Sequence, residues 1–463
     1  MAAPPRAGFD RSIIEGPISR VVWKLAWPTM LQNVIGGLQG VIDHAMVGHL
    51  VGYAGNAGIG IAWQIYLVVM IFITSLFTGM AVVVSRFAGG NDREGADRVI
   101  YQAFLTAAAL SLGVLAPIGY LLAPWLVGLV KAAPAVQAQA LPFLRIMFTC
   151  SVGMMTFFMI SGGLRAAGDS RTPLRLGVAL TALNIVLNVI LIRGLGPIPA
   201  FGTAGAAMGT VIAGTIVSLY SIRRMAAGRW VVGFPKRGRR PDWQIIRTLF
   251  RFGLPTGFQG VVVNVGGVLL LRFIGSLAQS AEAQAAYAIG YTELFSLVTW
   301  TSLGLMGATA AVAGQNLGAG HPDRAAQGVH AAARIGIGIA AVVATLFLTI
   351  PRLLLGVFGM TDPGVVTIAT HLLRYLSLSG FFISVALTYT GGLQGTGDTR
   401  SPLFISVVSQ LILPVGVCAA IQAMRPLQPG DIWTAIVIGH MTRCGLSMAR
   451  FRQGRWRTIR VEV

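Results

Sequence analysis

Acidic residues are scarce in this chain. It holds 15 Asp and Glu against 35 Lys and Arg, and charged residues make up only 11% of its 463 positions. Soluble proteins carry about 25% charged residues, so the soluble globular class is excluded. Cysteine is scarcer still, with only Cys150, Cys418 and Cys444, all in or beside long apolar runs. An odd number so placed gives neither a disulfide framework nor a metal spacing; the three read as small, buried, inert side chains, and no metal site is expected. No Gly-x-x-x-x-Gly-Lys-Ser/Thr loop occurs, so a built-in ATPase is not expected. The six histidines (His44, His49, His321, His330, His371 and His440) are scattered and stand mostly near the ends of the apolar runs. They form no Ser/His/Asp set or metal cluster at depth, so neither an enzyme nor a cofactor is expected. The first sixteen residues lack the apolar core of a signal peptide.

Apolar sequence is what the chain has in quantity. Hydrophobic residues make up 55%, and several runs reach the roughly 20 residues that cross a bilayer as a helix. A membrane β-barrel would instead show short alternating segments. Twelve spans are expected, at 22–48, 57–83, 99–122, 140–162, 173–193, 203–223, 248–274, 285–311, 329–350, 367–391, 402–423 and 431–449. The fold class is therefore an all-α polytopic membrane protein, with twelve transmembrane helices in two six-helix pseudo-symmetric bundles. The expected parts are a tail at 1–21, a bundle at 22–223, a basic linker at 224–247, a bundle at 248–449 and a basic tail at 450–463.

The net charge of +20 suggests nucleic acid until its position is considered. Basic residues gather in the linker region, at Arg223, Arg224, Arg229, Lys236, Arg237, Arg239, Arg240, Arg247 and Arg251, and at the end, from Arg450 to Arg460. Clusters that flank spans set topology and meet anionic headgroups, so nucleic-acid binding is not expected. With the N-terminus in the cytoplasm, all but seven of the 35 basic residues fall on the inner side; the outer seven are Lys131, Arg145, Arg193, Arg272, Arg352, Arg374 and Arg425. Both termini and the linker are thus expected in the cytoplasm, with the chain in a plasma (inner) membrane. The excess of Arg over Lys points to a GC-rich bacterial source.

The chain is duplicated. Gly162-Gly-Leu-Arg-Ala-Ala-Gly-Asp-Ser-Arg-Thr-Pro-Leu174 returns 229 positions later as Gly391-Gly-Leu-Gln-Gly-Thr-Gly-Asp-Thr-Arg-Ser-Pro-Leu403, most of its positions unchanged. Trp27-Pro28-Thr29 matches Leu254-Pro255-Thr256, Gln32 matches Gln259, and Gly48 matches Gly275. Six spans per half give both halves the same orientation. The Gly-Asp-Ser/Thr-Arg loops suit plain architecture, since glycine supplies a positive φ and Asp or Ser caps the next helix; gating contacts are the alternative. Pro28 and Pro255 each free a backbone carbonyl and bend a helix. Each serves as a packing kink or as a hinge for alternating access, and their equivalent positions favour a symmetric mechanical role.

Where the halves differ, chemistry shows. Gln32, Gly36, Gln39 and Asp43 are spaced by four, three and four, one stripe of a helix. An aspartate costs about 2.5–3.5 kcal/mol at a bilayer centre on insertion scales, so Asp43 must face protein or water; its counterpart is Leu270. Asn184 and Asn188 lie one turn apart and correspond to Leu413 and Val417, while Thr210 corresponds to Gly439. Interhelical hydrogen bonding is the plain reading of the amides and hydroxyl. A coupling site is the other: burial disfavours the charged form of a carboxyl group, so such an acid can hold a proton and exchange it for a cation. Glu293 is the second intramembrane acid, either a hydrogen-bond anchor or a second coupling or solute site. Dense Met and aromatic residues in spans 2, 4 and 10 serve packing and lipid contact, or a pliable wall for flat apolar solutes.

Leu25-Ala-Trp-Pro-Thr29, Val41-Ile-Asp-His-Ala-Met-Val-Gly48, Gly205-Ala-Ala-Met-Gly-Thr210, Val312-Ala-Gly-Gln-Asn-Leu-Gly-Ala-Gly320 and the two Gly-Asp-Ser/Thr-Arg loops together resemble the multidrug and toxic-compound extrusion (MATE) family. The resemblance runs from about residue 17 to 450 and is nearer the DinF-like than the NorM-like branch. It implies two bundles, a central cavity opening alternately, and export of amphiphilic organic cations in exchange for H⁺ or Na⁺. It places Asp43, Asn184, Asn188 and Thr210 at the coupling-ion site. Members with a clear Na⁺ site have an aspartate where this chain has Asn188, so one carboxylate fits H⁺ better, with Na⁺ the alternative. Candidate solute contacts are Gln32, Gln39, Gln64, Tyr66, Met155, Phe158, Gln259 and Glu293. Same-fold export or flipping of a metabolite or lipid-linked solute is the other expectation. The bundle can work as a monomer.

Overall fold

Hydrocarbon offers a backbone no hydrogen-bond partners, so an apolar run must satisfy its own amides and becomes a helix. The computed structural model describes residues 8–235 and 239–461, apart from the side chains at 68, 69 and 72–74. Lys236 and Arg237 of the basic linker lie outside the described residues. Twelve helices match the twelve expected spans: α1 (Ile18–Leu50), α2 (Tyr53–Gly89), α3 (Arg93–Leu129), α4 (Pro134–Thr149 and Val152–Ala166), α5 (Arg171–Arg193) and α6 (Thr203–Ala226). Then follow α7 (Trp243–Gly275), α8 (Ser280–Gly318), α9 (Pro322–Thr349), α10 (Pro363–Gly395), α11 (Arg400–Met424) and α12 (Pro429–Arg452). Eight are long and apolar enough to cross a membrane, and the two-piece α4 makes a ninth. Among the described residues there is no β-strand beyond a single bridge between Leu195 and Ile198.

Several features depart from straight spans. The span expected at 140–162 is broken at Cys150–Ser151 and bent by 55°. There Ser151 Oγ donates to the Phe148 carbonyl at 3.1 Å, diverting an acceptor from the helical ladder, a recognised cause of kinks. Cys150 is consequently exposed, against expectation, while Cys418 and Cys444 are buried. A π-helical turn interrupts α3 at Ser111–Leu115, α8 at Ala288–Leu294 and α11 at Val407–Ile412. Two of these end just before Pro117 and Pro414, which have no N–H to donate to the preceding turn.

The chain divides into two compact units, one gathering Leu31–Gly257 and the other Ser12–Met30 with Phe258–Arg460. Against the expected bundles at 22–223 and 248–449, the division cuts α1 after Met30 and α7 after Gly257, two residues past each proline, and takes the linker at 224–247 into the first unit. Packing gives the reason. In the second unit Val21, Val22, Leu25, Ala26 and Met30 share one buried cluster with Leu305, Ala308, Ala311 and Val312 of α8. In the first unit Gly79 of α2 lets the α7 backbone in so closely that a Cβ there would stand 2.0 Å from the Leu249 carbonyl oxygen. The linker is stitched to the start of α3: Gln102 donates to the Arg240 carbonyl at 2.7 Å, Arg98 pairs with Asp242 at 2.8 Å, and Asp97 accepts from the Gly233 amide at 2.8 Å.

Both repeat loops serve architecture. Gly168 and Gly397 adopt φ of 96° and 95°, the left-handed region open to glycine. Asp169 and Asp398 then accept from the amides of Thr172 at 3.0 Å and Ser401 at 3.2 Å, capping α5 and α11.

Candidate functional site

The polar positions of α1, α5 and α6 converge inside the first unit. The stripe on α1 turns toward α5, whose Asn184 and Asn188 are fully buried, and Thr210 of α6 is 6% exposed. Asn188 Nδ2 donates to Asp43 Oδ1 at 2.8 Å, and Thr181 Oγ1 donates to Gln39 Oε1 at 2.8 Å. With its amide turned so that both ends find complementary partners, Asn184 accepts from Thr210 Oγ1 and N at 3.1 and 3.2 Å and donates to Asp43 Oδ1 at 3.1 Å. Two amides thus point at one carboxylate oxygen. Asp43 itself is half-buried. Among the described residues no ion pair involves it. Its neighbour His44 instead faces Asn56 Oδ1 at 2.5 Å.

Asn188 Oδ1 is buried and has no hydrogen-bond partner. An unpaired buried acceptor is costly, and it adds an oxygen to a site already lined by a carboxylate, a second carboxamide and a hydroxyl. Hard cations prefer oxygen ligands. Among the described residues no three His, Cys, Asp or Glu gather as a metal cluster. The arrangement suits a proton or a monovalent cation, because one carboxylate balances one positive charge.

The remaining candidates are dispersed. Gln32 accepts from Arg165 Nη1 at 3.1 Å, and that guanidinium lies 5.4 Å from the Phe77 ring centre. The second unit repeats the arrangement: Gln394, the counterpart of Arg165, donates to Gln259 Oε1 at 3.0 Å, and Gln259 donates to Ser406 Oγ at 2.9 Å. Each glutamine lies one turn beyond a proline, so the glycine-rich repeats reach back to hold the two helices just past their prolines. The Arg165-to-Gln32 bond went unforeseen, although the spacing of 229 that aligns Arg165 with Gln394 carries the signal. Tyr66 and Met155 lie in the packed core of the first unit, with Tyr66 between Trp63 and Phe148 at ring distances of 5.6 and 5.8 Å. Phe158 packs at the edge of that core, and Gln64 is exposed. Glu293 belongs to the second unit; it sits half-buried on the π turn of α8, and its carboxylate has no hydrogen bond or ion pair among the described residues.

The sequence model of one family, described as MatE, matches residues 28–190 and 255–419. Each matched stretch opens on one of the two prolines. The chain belongs to the MatE family. This MatE protein is therefore a multi-pass membrane transporter and not an enzyme. It is 25% identical over 95% of its length to 93% of a probable multidrug resistance protein NorM of Thermotoga maritima. It is 26% identical over 93% of its length to 94% of a multidrug resistance protein MdtK of Edwardsiella ictaluri. Relatives named NorM and MdtK match at similar identity, so likeness does not separate the family's branches. A solved structure described as the outward-facing conformation of a multidrug resistance MATE family transporter of the MOP superfamily superposes with a TM-score of 0.89. That likeness covers 98% of this chain and all of the other at 20% identity, and it shows the shared twelve-helix fold.

Proposed function

We propose that this MatE protein is a secondary antiporter that exports amphiphilic organic cations in exchange for protons by alternating access. It works in a bacterial inner membrane with both termini in the cytoplasm, and as a monomer. The observation that carries this reading is that Asp43 is held by an amide rather than a base: Asn188 donates to it at 2.8 Å, and among the described residues no cation is paired with it. A buried carboxylate fixed to an arginine could not release its charge. One held by neutral amides can take a proton from one side and yield to a cation from the other, so the net charge of the site is kept. Each pH unit supplies about 1.4 kcal/mol per proton, and 100 mV about 2.3 kcal/mol per charge, which suffices to drive a solute without ATP. Relatives named for multidrug resistance support a drug-like solute.

Sodium coupling at the same site is the second reading, favoured by the unpartnered oxygen of Asn188. Proteoliposomes loaded with a fluorescent organic cation separate the two. A pH gradient alone is expected to drive the cation, and a sodium gradient alone to leave it in place. Transport driven by sodium at uniform pH would overturn proton exchange.

Two further outcomes follow from the geometry. Asn188→Leu removes one of the two amide donors on Asp43 and is expected to cut proton-driven transport about tenfold, the cost of one hydrogen bond to a charged group; unchanged transport would detach Asn188 from the mechanism. Pro28→Ala restores the missing backbone donor at the point where α1 passes from one unit to the other. Transport is expected to fall several-fold with the protein still folded, and further when Pro255→Ala is added. A parental rate in the double variant would reduce both prolines to packing kinks.

A further inference from the structure

The C-terminal ends of α7 and α11 enclose a groove in the second unit. Gly266 of α7 lies so close to α11 that a Cβ there would stand 2.2 Å from the Gln410 carbonyl oxygen. Gln410 belongs to the π turn of α11, and Pro414 follows it. Beyond that point a groove of about 630 Å³ separates the two helices. Leu269, Arg272, Phe273 and Ser276 line it from α7, and Val415, Ala419 and Gln422 line it from α11. Each set has the three- and four-residue spacing of a single helix face. The adjoining faces turn inward: Leu270, Ile274 and Cys418 are buried in the core of the unit. The groove is therefore an outward feature of the fold and not a gap in its core.

Its chemistry changes along its length. The walls are apolar at Leu269, Phe273, Val415 and Ala419, and the polar groups of Arg272, Ser276 and Gln422 gather toward the helix ends. From Leu269 to Ser276 the α7 side runs about 10 Å. Since α7 ends at Gly275 and α11 at Met424, the polar end stands where spans stop and lipid headgroups begin. Arg272 is exposed and makes no ion pair, hydrogen bond or ring contact among the described residues. Arg425, just past α11, is by contrast held by both carboxylate oxygens of Asp431 at 2.8 and 2.6 Å. Gln422 reaches Ser276 Oγ only at 3.5 Å, too long to fix its amide. By the offset that relates Gly275 to Gly48, the counterpart of Arg272 is Ala45, so the duplication does not account for this arginine.

We propose that this groove binds an anionic phospholipid, with the phosphodiester on Arg272 and one acyl chain along Leu269, Phe273 and Val415. One unpaired guanidinium calls for one negative charge, and its planar fork matches two phosphate oxygens. The Gln422 amide supplies a further donor. A free phosphate would leave the apolar wall uncovered, at a cost proportional to its area. A groove that closes to backbone contact at Gly266 takes a single chain, not a second helix about 10 Å wide. A phospholipid joins charge to chain in one molecule and is already present at this depth. The site lies outside the Asp43 cluster and goes beyond cation export, so it stands or falls independently of proton coupling.

The experiment is photolabelling of the full-length protein in phosphatidylcholine nanodiscs. These are doped with phosphatidylglycerol or phosphatidylcholine carrying a diazirine in one acyl chain, and labelled peptides are mapped by mass spectrometry. The phosphatidylglycerol probe is expected to label 265–276 and 411–423 at least about fivefold more than the phosphatidylcholine probe, the worth of one interfacial arginine. Arg272→Gln is expected to abolish that preference. Ala419→Trp, which fills the groove and keeps the charge, is expected to lower phosphatidylglycerol labelling there several-fold. Arg425→Gln, which removes an exposed arginine paired with Asp431, reads out non-specific attraction and is expected to leave the labelling within twofold. Excess glycerol phosphate, a headgroup without chains, is expected to compete with nothing. Arg272 and Ala419 are both exposed, so neither change opens the core, and monodisperse elution is required of each variant. Equal labelling by the two probes, no labelling of the two segments, equal losses in Arg272→Gln and Arg425→Gln, or displacement by glycerol phosphate would each overturn the site. No gradient is applied, so failure of cation export would leave this measurement untouched.

Discussion

Asp43→Asn exports no organic cation in response to a pH gradient, yet inserts and purifies as the parent protein does. The substitution changes the shape of the side chain by almost nothing. An asparagine oxygen at the same place still accepts from Asn188 Nδ2, now 2.8 Å from Asp43 Oδ1, so the α1–α5 contact survives. What disappears is the ability to carry a negative charge at any pH. Without it a proton has nowhere to bind and a cation finds no counter-charge. The pH-driven component of efflux is expected to fall by more than about a hundredfold, to the leak rate of empty vesicles, since two charge-assisted contacts of roughly 1.5–3 kcal/mol are lost together. Downhill transport measured beside it distinguishes lost coupling from lost folding. Undiminished pH-driven efflux in Asp43→Asn would remove Asp43 from the mechanism.

Gly391→Ala loses most of its folded protein on extraction, whereas Gly162→Ala, the equivalent change in the first half, is tolerated better. The two glycines open the repeated segment and are packed in the same register. A Cβ on Gly391 would stand 2.3 Å from the Met306 carbonyl oxygen, and one on Gly162 would stand 1.7 Å from Phe77 Cε2. Met306 and Phe77 are themselves 229 positions apart. The difference lies in what can yield. Phe77 is a side chain that can rotate away, at the cost of its place beside Arg165. The Met306 carbonyl is helix backbone, and α8 must separate from α10 to make room. Overpacking of a core costs about 1–3 kcal/mol and sometimes more; the upper end is expected for Gly391→Ala, where the obstacle is backbone. Thermal midpoints of both variants in detergent, read by size-exclusion recovery, test the order. Equal midpoints would show that α8 and α10 are not held at this point.

The polar site was legible because it breaks the duplication. Asp43, Asn184, Asn188 and Thr210 correspond in sequence to apolar residues or glycine of the other half, and helical spacing puts the first three on single faces. The structure joins all four in one hydrogen-bonded cluster. Other expectations depended on more than periodicity. Tyr66 and Met155 have the composition of a solute wall but sit in the core, because a pattern of apolar and aromatic residues is the same for packing as for binding. Gln32 and Gln259 looked like open polar contacts, and are each engaged by the residue that follows the Gly-Gly-Leu triplet of the repeat, Arg165 or Gln394.

Order along the chain was enough to set the number of helices, the two-fold repetition and the place of an intramembrane acid, Asp43, whose counterpart is a leucine. Those properties follow from local hydropathy, which decides what enters a bilayer, and from comparison of one half with the other. Tertiary structure alone decided that α1 and α7 change units past their prolines, that α4 breaks at Ser151, and that Arg443 is buried with no ion pair among the described residues. These depend on which distant surfaces meet, and that choice rests on backbone approach and side-chain reach between residues hundreds of positions apart, which no local pattern records.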